Sequence, residues 1–247
     1  CLAGRSPEQV TTGVWDQSGW HYLLVAGHNG ANDPNVSYTL NITVTPGVSA
    51  LDPAFNPPVF EPPEISHSSK KTIILTNQAR LNARYGSDST QRLIAKLSDL
   101  AAHGQVAGVI INLDTHMPIA EVYQLWDQNP SNPLHANLVA ASIKALLTSI
   151  RSAYPDLQNI LIVGDDDIVP FRRIPDEVVL ANESSYSAFL VEDSPLAASF
   201  RERYFLSDDY YAGFEPIPWR GRELSLPSYA IGRLVETPEE MMVAIDT

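Results

Sequence analysis

Four short, mainly apolar runs divide the chain from residue 70 onward. They read KKTIILTN (70–77), VAGVIINL (106–113), NILIVG (159–164) and SYAIGRLV (228–235). Runs of this kind are typical of strands in a parallel sheet that is covered on both faces. Because segments with helical spacing separate them, the pattern predicts an α/β domain with a doubly wound, mostly parallel sheet over residues 70–247.

The segments between these runs carry the signals that begin and end helices. Residues 87–104 open with the N-cap types Ser87 and Asp88 and close with Gly104, which we interpret as a C-terminal stop. A short helix is expected within 117–130, and a long one begins at Asn132 and Pro133. Its buried stripe is predicted to contain Leu134, Leu138, Ile143, Leu146, Leu147 and Ile150. A last helix follows Thr237, where Glu240 is placed for a capping box.

Residues 1–46 have a different, β-type pattern. Apolar residues alternate with polar ones over Ser37–Val44, and a second β-rich run covers Trp20–Gly27, with the turn signal Asn29-Gly30 between them. A hairpin alone is too small to be stable, so we expect these residues to complete a larger sheet. Residues 47–69 are proline-rich, which excludes a helix or central strand and predicts a semi-rigid interdomain linker.

Charge and composition narrow the classes of partner. The formal net charge is -13, with 29 acidic and 16 basic residues, which argues against duplex nucleic acid or anionic membranes as the main partner. No apolar run reaches the roughly 18 residues that a membrane span needs. The single cysteine, Cys1, allows two interpretations: a lipid-modified or catalytic N-terminal cysteine, or the first residue of a fragment.

Three consecutive aspartates, Asp165, Asp166 and Asp167, follow the third apolar run. Ligands bind at the carboxyl ends of parallel strands, so these carboxylates are candidates for a metal or for orienting a substrate. The alternative is that they bond to local backbone amides, which relieves their mutual repulsion. We predict that at least one does so. A polymerase-type Gly-Asp-Asp is excluded because there is neither a hairpin at this point nor a basic nucleic-acid channel.

Asp208 and Asp209, which lie in a loop flanked by proline and glycine, and His116 are weaker candidates. The aspartate pair lacks the alternating oxygen ligands of a dedicated calcium loop, so a structural role with Tyr210 and Tyr211 covering the sheet end is favoured over metal. His116 follows the second run and is a candidate for the strand-end cleft. No histidine pair has zinc-site spacing, and no nucleophile and base form a recognisable catalytic pair.

Three segments in this order resemble the gingipain-type cysteine peptidases, a branch of the caspase-like fold: LIVGDDDIVPF, LSDDYYAG and PSYAIGRLVETPEEM. The matching positions are Gly164, Asp165, Pro170, Asp208, Tyr211, Gly232 and Arg233. The resemblance covers residues 70–247, as the N-terminal part of a caspase-like domain. Residues 1–46 resemble the C-terminal part of the β-sandwich modules that accompany secreted bacterial proteases.

The resemblance implies a secreted or cell-surface parent that cleaves protein or peptide substrates with a His-Cys dyad. Both dyad positions are expected beyond Thr247, so no catalytic residue is transferred and the chain alone is expected to be inactive. His103-Gly104 ends a helix and does not correspond to the family's catalytic His-Gly. No cofactor is required, although the strand-end aspartates are compatible with calcium. The alternatives are a non-catalytic surface, adhesion or binding protein with the same fold, and a hydrolase of other chemistry with a Rossmann-like core.

Overall fold

The structure, a computed structural model, describes residues 22, 39–43, 57–61, 68–176, 178, 182–192, 194–219 and 222–247. The chain divides into two compact units, Cys1–Pro53 and Ala54–Thr247. In the first unit, residues 39–43 have no strand assignment, and Leu40 and Ile42 are 48% and 64% exposed. The half-buried strand predicted over Ser37–Val44 is therefore not seen where it is described. Nearly all of the other predicted β run, its turn and much of the linker lie outside the described residues.

All described regular elements belong to the second unit. Its strands are β1 (Thr72–Thr76), β2 (Gly108–Asn112), β3 (Asn159–Val163), β4 (Arg172–Pro175), β5 (Tyr204–Ser207), β6 (Ile217–Trp219), β7 (Arg222–Leu224) and β8 (Ala230–Leu234). Its α-helices are α1 (Gln78–Tyr85), α2 (Ser87–Ala102), α3 (Met117–Gln128), α4 (Pro133–Ile150), α5 (Pro195–Arg201), α6 (Asp209–Ala212) and α7 (Pro238–Ile245). Short 3₁₀ turns cover Leu113–Thr115, Arg151–Ala153 and Glu183–Phe189.

The main sheet has the strand order β2-β1-β3-β8, and all three pairings are parallel. This confirms the predicted α/β class with a parallel sheet, and the order is consistent with a doubly wound fold. Thr76 is in register with Asn112, and Val163 with Leu234, so the carboxyl ends of the strands meet at one edge. Because the chain passes from β1 to β2 and then returns across β1 to β3, the topological switch point lies between β1 and β3.

Two layers of helices cover the sheet. Helices α1 and α7 both pack on α2, whereas α3 and α6 both pack on α4. Since parallel crossovers are right-handed, the opposite directions of the β1-to-β2 and β2-to-β3 connections put these groups on opposite faces. All six residues of the predicted α4 stripe are buried. The chain between β3 and β8 forms the antiparallel pairs β4-β5 and β6-β7, in a region that the sequence pattern left irregular.

The predicted helix ends are correct at some positions and wrong at others. Asn132 caps α4 by accepting the Leu134 N–H at 3.0 Å, and the capping box of α7 is present. The predicted caps of α2 are wrong. Its N-cap is Gly86, at a φ of 81°, and the Thr90 hydroxyl donates to the Gly86 carbonyl at 2.9 Å. Its C-cap is His103, in an extended conformation, so a glycine in the left-handed region does not end this helix.

Candidate functional site

The candidate site is the loop 164–171, which follows β3 at the carboxyl edge of the sheet. Gly164 has a φ of 105°, a backbone conformation that side chains other than glycine rarely adopt. The carbonyl of Asp165 then accepts the N–H groups of Ile168 and Val169 at 3.1 and 3.0 Å. Within this tight turn, Asp166 has a different partner from Asp165 and Asp167.

Asp166 is buried and forms a bidentate ion pair with Arg173 of β4. Its Oδ1 and Oδ2 accept from Nη1 and Nη2 at 2.7 and 2.5 Å, and the two side chains are 3% and 0% exposed. Asp166 Oδ1 also accepts the backbone N–H of Phe171 at 2.9 Å. The predicted bond between an aspartate and a local amide is therefore confirmed at Asp166. Removing either charge would leave the other buried and unpaired. This pair therefore stabilises the C-terminal end of the loop.

Asp165 and Asp167 are more exposed and share one partner, Arg84 of α1. Arg84 Nη2 lies 2.7 Å from Asp165, and Nη1 lies 2.6 Å from Asp167. Their side chains are 30% and 47% exposed. Burial raises the pKa of Asp165; the positive charge of Arg84 opposes this rise, and the negative charge of Asp167 adds to it. The arginine thus balances the repulsion between the two carboxylates.

A second arginine of α1 holds the backbone of the same loop. Arg80 Nε donates to the Asp167 carbonyl at 2.5 Å, and its Nη1 contacts both carboxylate oxygens of Asp127 at 2.9 and 3.0 Å. Its guanidinium lies over the ring of Tyr123, 4.8 Å from the centroid. The Tyr123 hydroxyl donates to the Ile168 carbonyl at 2.7 Å. Helices α1 and α3 therefore both anchor the loop.

Arg233 of β8 connects the loop to the segment that contains Asp208. Its Nε and Nη2 bond to Asp208 Oδ2 and Oδ1 at 2.9 and 2.5 Å. Its Nη1 donates to the carbonyls of Gly164 and Val169, both at 2.8 Å. The guanidinium also lies 3.9 Å from the ring centroid of Phe171. All three guanidinium nitrogens are thus used inside the protein.

Tyr211 completes this connection. It is fully buried, and its hydroxyl donates to the Pro170 carbonyl. Burial raises its pKa well above the ordinary value. Seven carbonyls of the loop, those of residues 164, 165 and 167–171, consequently accept from an arginine or tyrosine that lies outside the loop. The buried position of Tyr211 agrees with the structural role predicted for this residue.

The structure places Asp209 and His116 outside this network. Asp209 begins α6; its carboxylate is exposed, and its N–H donates to Ser207 Oγ at 3.1 Å. His116 precedes α3 and packs edge-on against Phe60, with 5.9 Å between the ring centroids. Burial lowers the pKa of His116, which Asp114 opposes. Of the six residues proposed from sequence, four therefore meet at the loop.

The start of α1, at the switch point, is already occupied by side-chain oxygens. The N–H of Gln78 donates to Asn112 at 3.0 Å, that of Ala79 to Asp114 at 2.6 Å, and that of Arg80 to Asn77 at 3.1 Å. Nucleotide-binding folds of this topology use such N–H groups to hold phosphate. A carboxylate in this place repels phosphate, which argues against a nucleotide-type site.

The chemistry available to the described residues is limited. The sole cysteine, Cys1, lies outside them. Within the described ranges, no group of three or more His, Cys, Asp or Glu side chains could hold a metal ion. In the same ranges, no helix combines the length and apolar character that crossing a membrane requires. The site as described is a loop held by arginines, and it presents two partly exposed carboxylates, Asp165 and Asp167.

Comparison with known proteins adds no relative: no family model, curated protein or solved structure matches the chain.

Proposed function

We propose that this chain is a non-catalytic part of a secreted cysteine endopeptidase of the gingipain type. The observation that supports the proposal is the convergence of its three resembling segments on one side chain, Arg233. This residue of the third segment bonds to Asp208 of the second and to the Gly164 and Val169 carbonyls of the first. Residues far apart in sequence are thus in direct contact at the carboxyl edge of the sheet, where parallel sheets bind their ligands.

In the proposed reaction, a cysteine thiolate attacks the peptide carbonyl and a histidine protonates the leaving amine, while backbone amides hold the oxyanion. Both catalytic side chains would come from outside this sequence. The role of the present residues is positional. Arg80, Arg173 and Arg233 hold the loop 164–171 in one conformation, which would preorganise this edge of the sheet for the reaction.

The same geometry reduces the number of aspartates that could bind calcium. Both carboxylate oxygens of Asp208 accept from Arg233, and both of Asp166 accept from Arg173, so neither is available to a cation. Asp165 and Asp167 are the remaining candidates in the loop, and a calcium ion there would have to displace Arg84.

The experiment compares two proteins: this chain, and a longer product of the same gene. Each is assayed against a mixed peptide library, with and without a thiol alkylator. The proposal predicts cleavage by the longer product alone, and loss of that cleavage after alkylation. If the longer product shows no thiol-dependent cleavage, the proposal is wrong.

The second candidate is a binding or surface protein that retains the fold without catalysis. It is favoured by the full engagement of Asp166, Asp208 and their arginines in structural contacts. A longer reading frame without a strand-end cysteine and a His-Gly segment would support this second candidate.

A further inference from the structure

Three basic residues form a row along one flank of α4, and we call Lys144, Arg151 and Arg172 the α4 cation row. Lys144 Nζ lies 3.6 Å from the ring centroid of Phe214, and Arg151 Cζ lies 5.0 Å from the same centroid. On the other side, Lys144 Nζ and Arg172 Cζ lie 5.7 and 4.7 Å from the ring centroid of Tyr210. All five side chains are half-buried, and Lys144 is the middle cation of the row.

The α4 cation row has no negative partner within the described part of the chain. Asp209 and Glu215 adjoin the two rings in sequence, yet neither pairs with a member of the row. The contrast is with the basic residues that do have a carboxylate partner: Arg80, Arg84, Arg92, Lys96, Arg173 and Arg233. In a protein with 29 acidic and 16 basic residues, a row of three basic side chains without a carboxylate partner among the described residues requires an explanation.

Only some of the N–H donors in the α4 cation row form hydrogen bonds with the described residues. Lys144 Nζ donates to the carbonyls of Gly213 and Tyr211 at 2.7 and 3.3 Å. Arg172 makes one long bond, at 3.4 Å, to the Asn137 carbonyl. The guanidinium of Arg151 has no hydrogen-bond partner among the residues that the structure describes. Within the described residues, most donors of these two guanidinium groups are therefore unused.

The surroundings of Lys144 disfavour its protonated form. Burial lowers the pKa of Lys144 to about 7, and the charge of Arg151 acts in the same direction. An anion bound beside the row would offset this repulsion. Guanidinium groups that stack on rings retain their in-plane N–H donors, which suit the paired oxygens of phosphate or carboxylate groups.

We propose that the α4 cation row is a binding site for a compact oxyanion with two or more negative charges, of the polyphosphate or polycarboxylate class. Charge complementarity carries this assignment. A long nucleic acid is disfavoured because it would extend beyond the row, and the rest of the protein is strongly acidic. The proposal is independent of the proposed peptidase function, since the row lies outside the loop 164–171.

The test is isothermal titration calorimetry of the whole chain at about pH 6, where Lys144 is mostly protonated, with inorganic pyrophosphate and, separately, with citrate at low salt. We expect a Kd below about 1 mM that weakens as salt is added. Arg151→Gln and Arg172→Gln should each weaken binding by about tenfold, because each removes a charge-assisted contact. The matched control is the double variant Lys70→Gln/Lys71→Gln, which removes two cations elsewhere and should bind as the wild type does.

Each outcome has a defined meaning. Binding of pyrophosphate alone assigns a phosphate ligand, and binding of both probes assigns the wider oxyanion class. If neither probe binds, or if the control variant weakens binding as much as the arginine variants do, the proposal is overturned. Arg151→Glu provides a second variant that places a carboxylate beside Lys144. It should abolish binding while lowering Tm by no more than about 4 °C, which separates loss of the site from loss of the fold.

Discussion

The turn at Gly164 offers the sharpest single-residue perturbation, Gly164→Ala. A Cβ at this position would lie 2.5 Å from the Cβ of Ile168, and the φ of 105° is strained for alanine. Backbone strain of this kind costs about 1–3 kcal/mol, and overpacking costs about 1–3 kcal/mol more. The neighbouring atoms cannot move away easily, because Arg80, Tyr123 and Arg233 hold the loop backbone.

Together these effects should lower the free energy of unfolding by about 2–6 kcal/mol and lower Tm by about 5–20 °C. The assay is urea and thermal unfolding, followed by far-UV circular dichroism. The matched control is Gly232→Ala in β8, where an added Cβ meets no atom within 4 Å. This variant should change stability by less than about 1 kcal/mol. Equal stability losses at Gly164 and Gly232 would refute the account of the turn.

Three further predictions follow from the charges. Arg233→Gln removes the charge that pairs with Asp208 and should cost about 3–5 kcal/mol in urea unfolding, whereas Arg92→Gln at an exposed pair should cost less than about 1 kcal/mol. Similar costs for the two variants would contradict the role of the buried pair. Asp166→Asn leaves its buried arginine unpaired and should also cost about 3–5 kcal/mol, and a loss under about 1 kcal/mol would argue against that pair. The pKa of Lys144 is lowered from 10.5 to about 7, so between these pH values the unfolded chain binds more protons and wild-type stability should gain with rising pH. Lys144→Gln should lack this gain, and parallel stability-pH curves would contradict it.

Several parts of the fold were predictable because they depend on local pattern. The four main strands, α4 and the capping box of α7 follow from apolar runs and from cap residues a few positions apart. The helix α1 was missed, because QARLNARY buries only Leu81 and therefore shows almost no apolar stripe. Its signals were the N-cap Asn77 and the glycine at its end, Gly86. The omission matters, because α1 supplies both arginines that hold Asp165 and Asp167.

The partners of the aspartates illustrate what sequence spacing leaves open. Asp208 and Arg233 are 25 positions apart, and Arg84 and Asp167 are 83 apart, so no periodicity relates them. The position of the triple aspartate at a strand end was predictable from the run before it. Which aspartate is turned inward was not predictable, because that choice depends on Arg173, whose position is set by the packing of β4 against α4.

The central functional claim is that the reactive thiol belongs to the parent protein and not to this sequence. The direct measurement is to inactivate the longer gene product with a peptidyl chloromethyl ketone and to map the labelled cysteine by mass spectrometry. The account predicts one labelled cysteine outside residues 1–247, with Cys1 unlabelled. A label on Cys1, or peptide cleavage that continues without any cysteine being labelled, would contradict it.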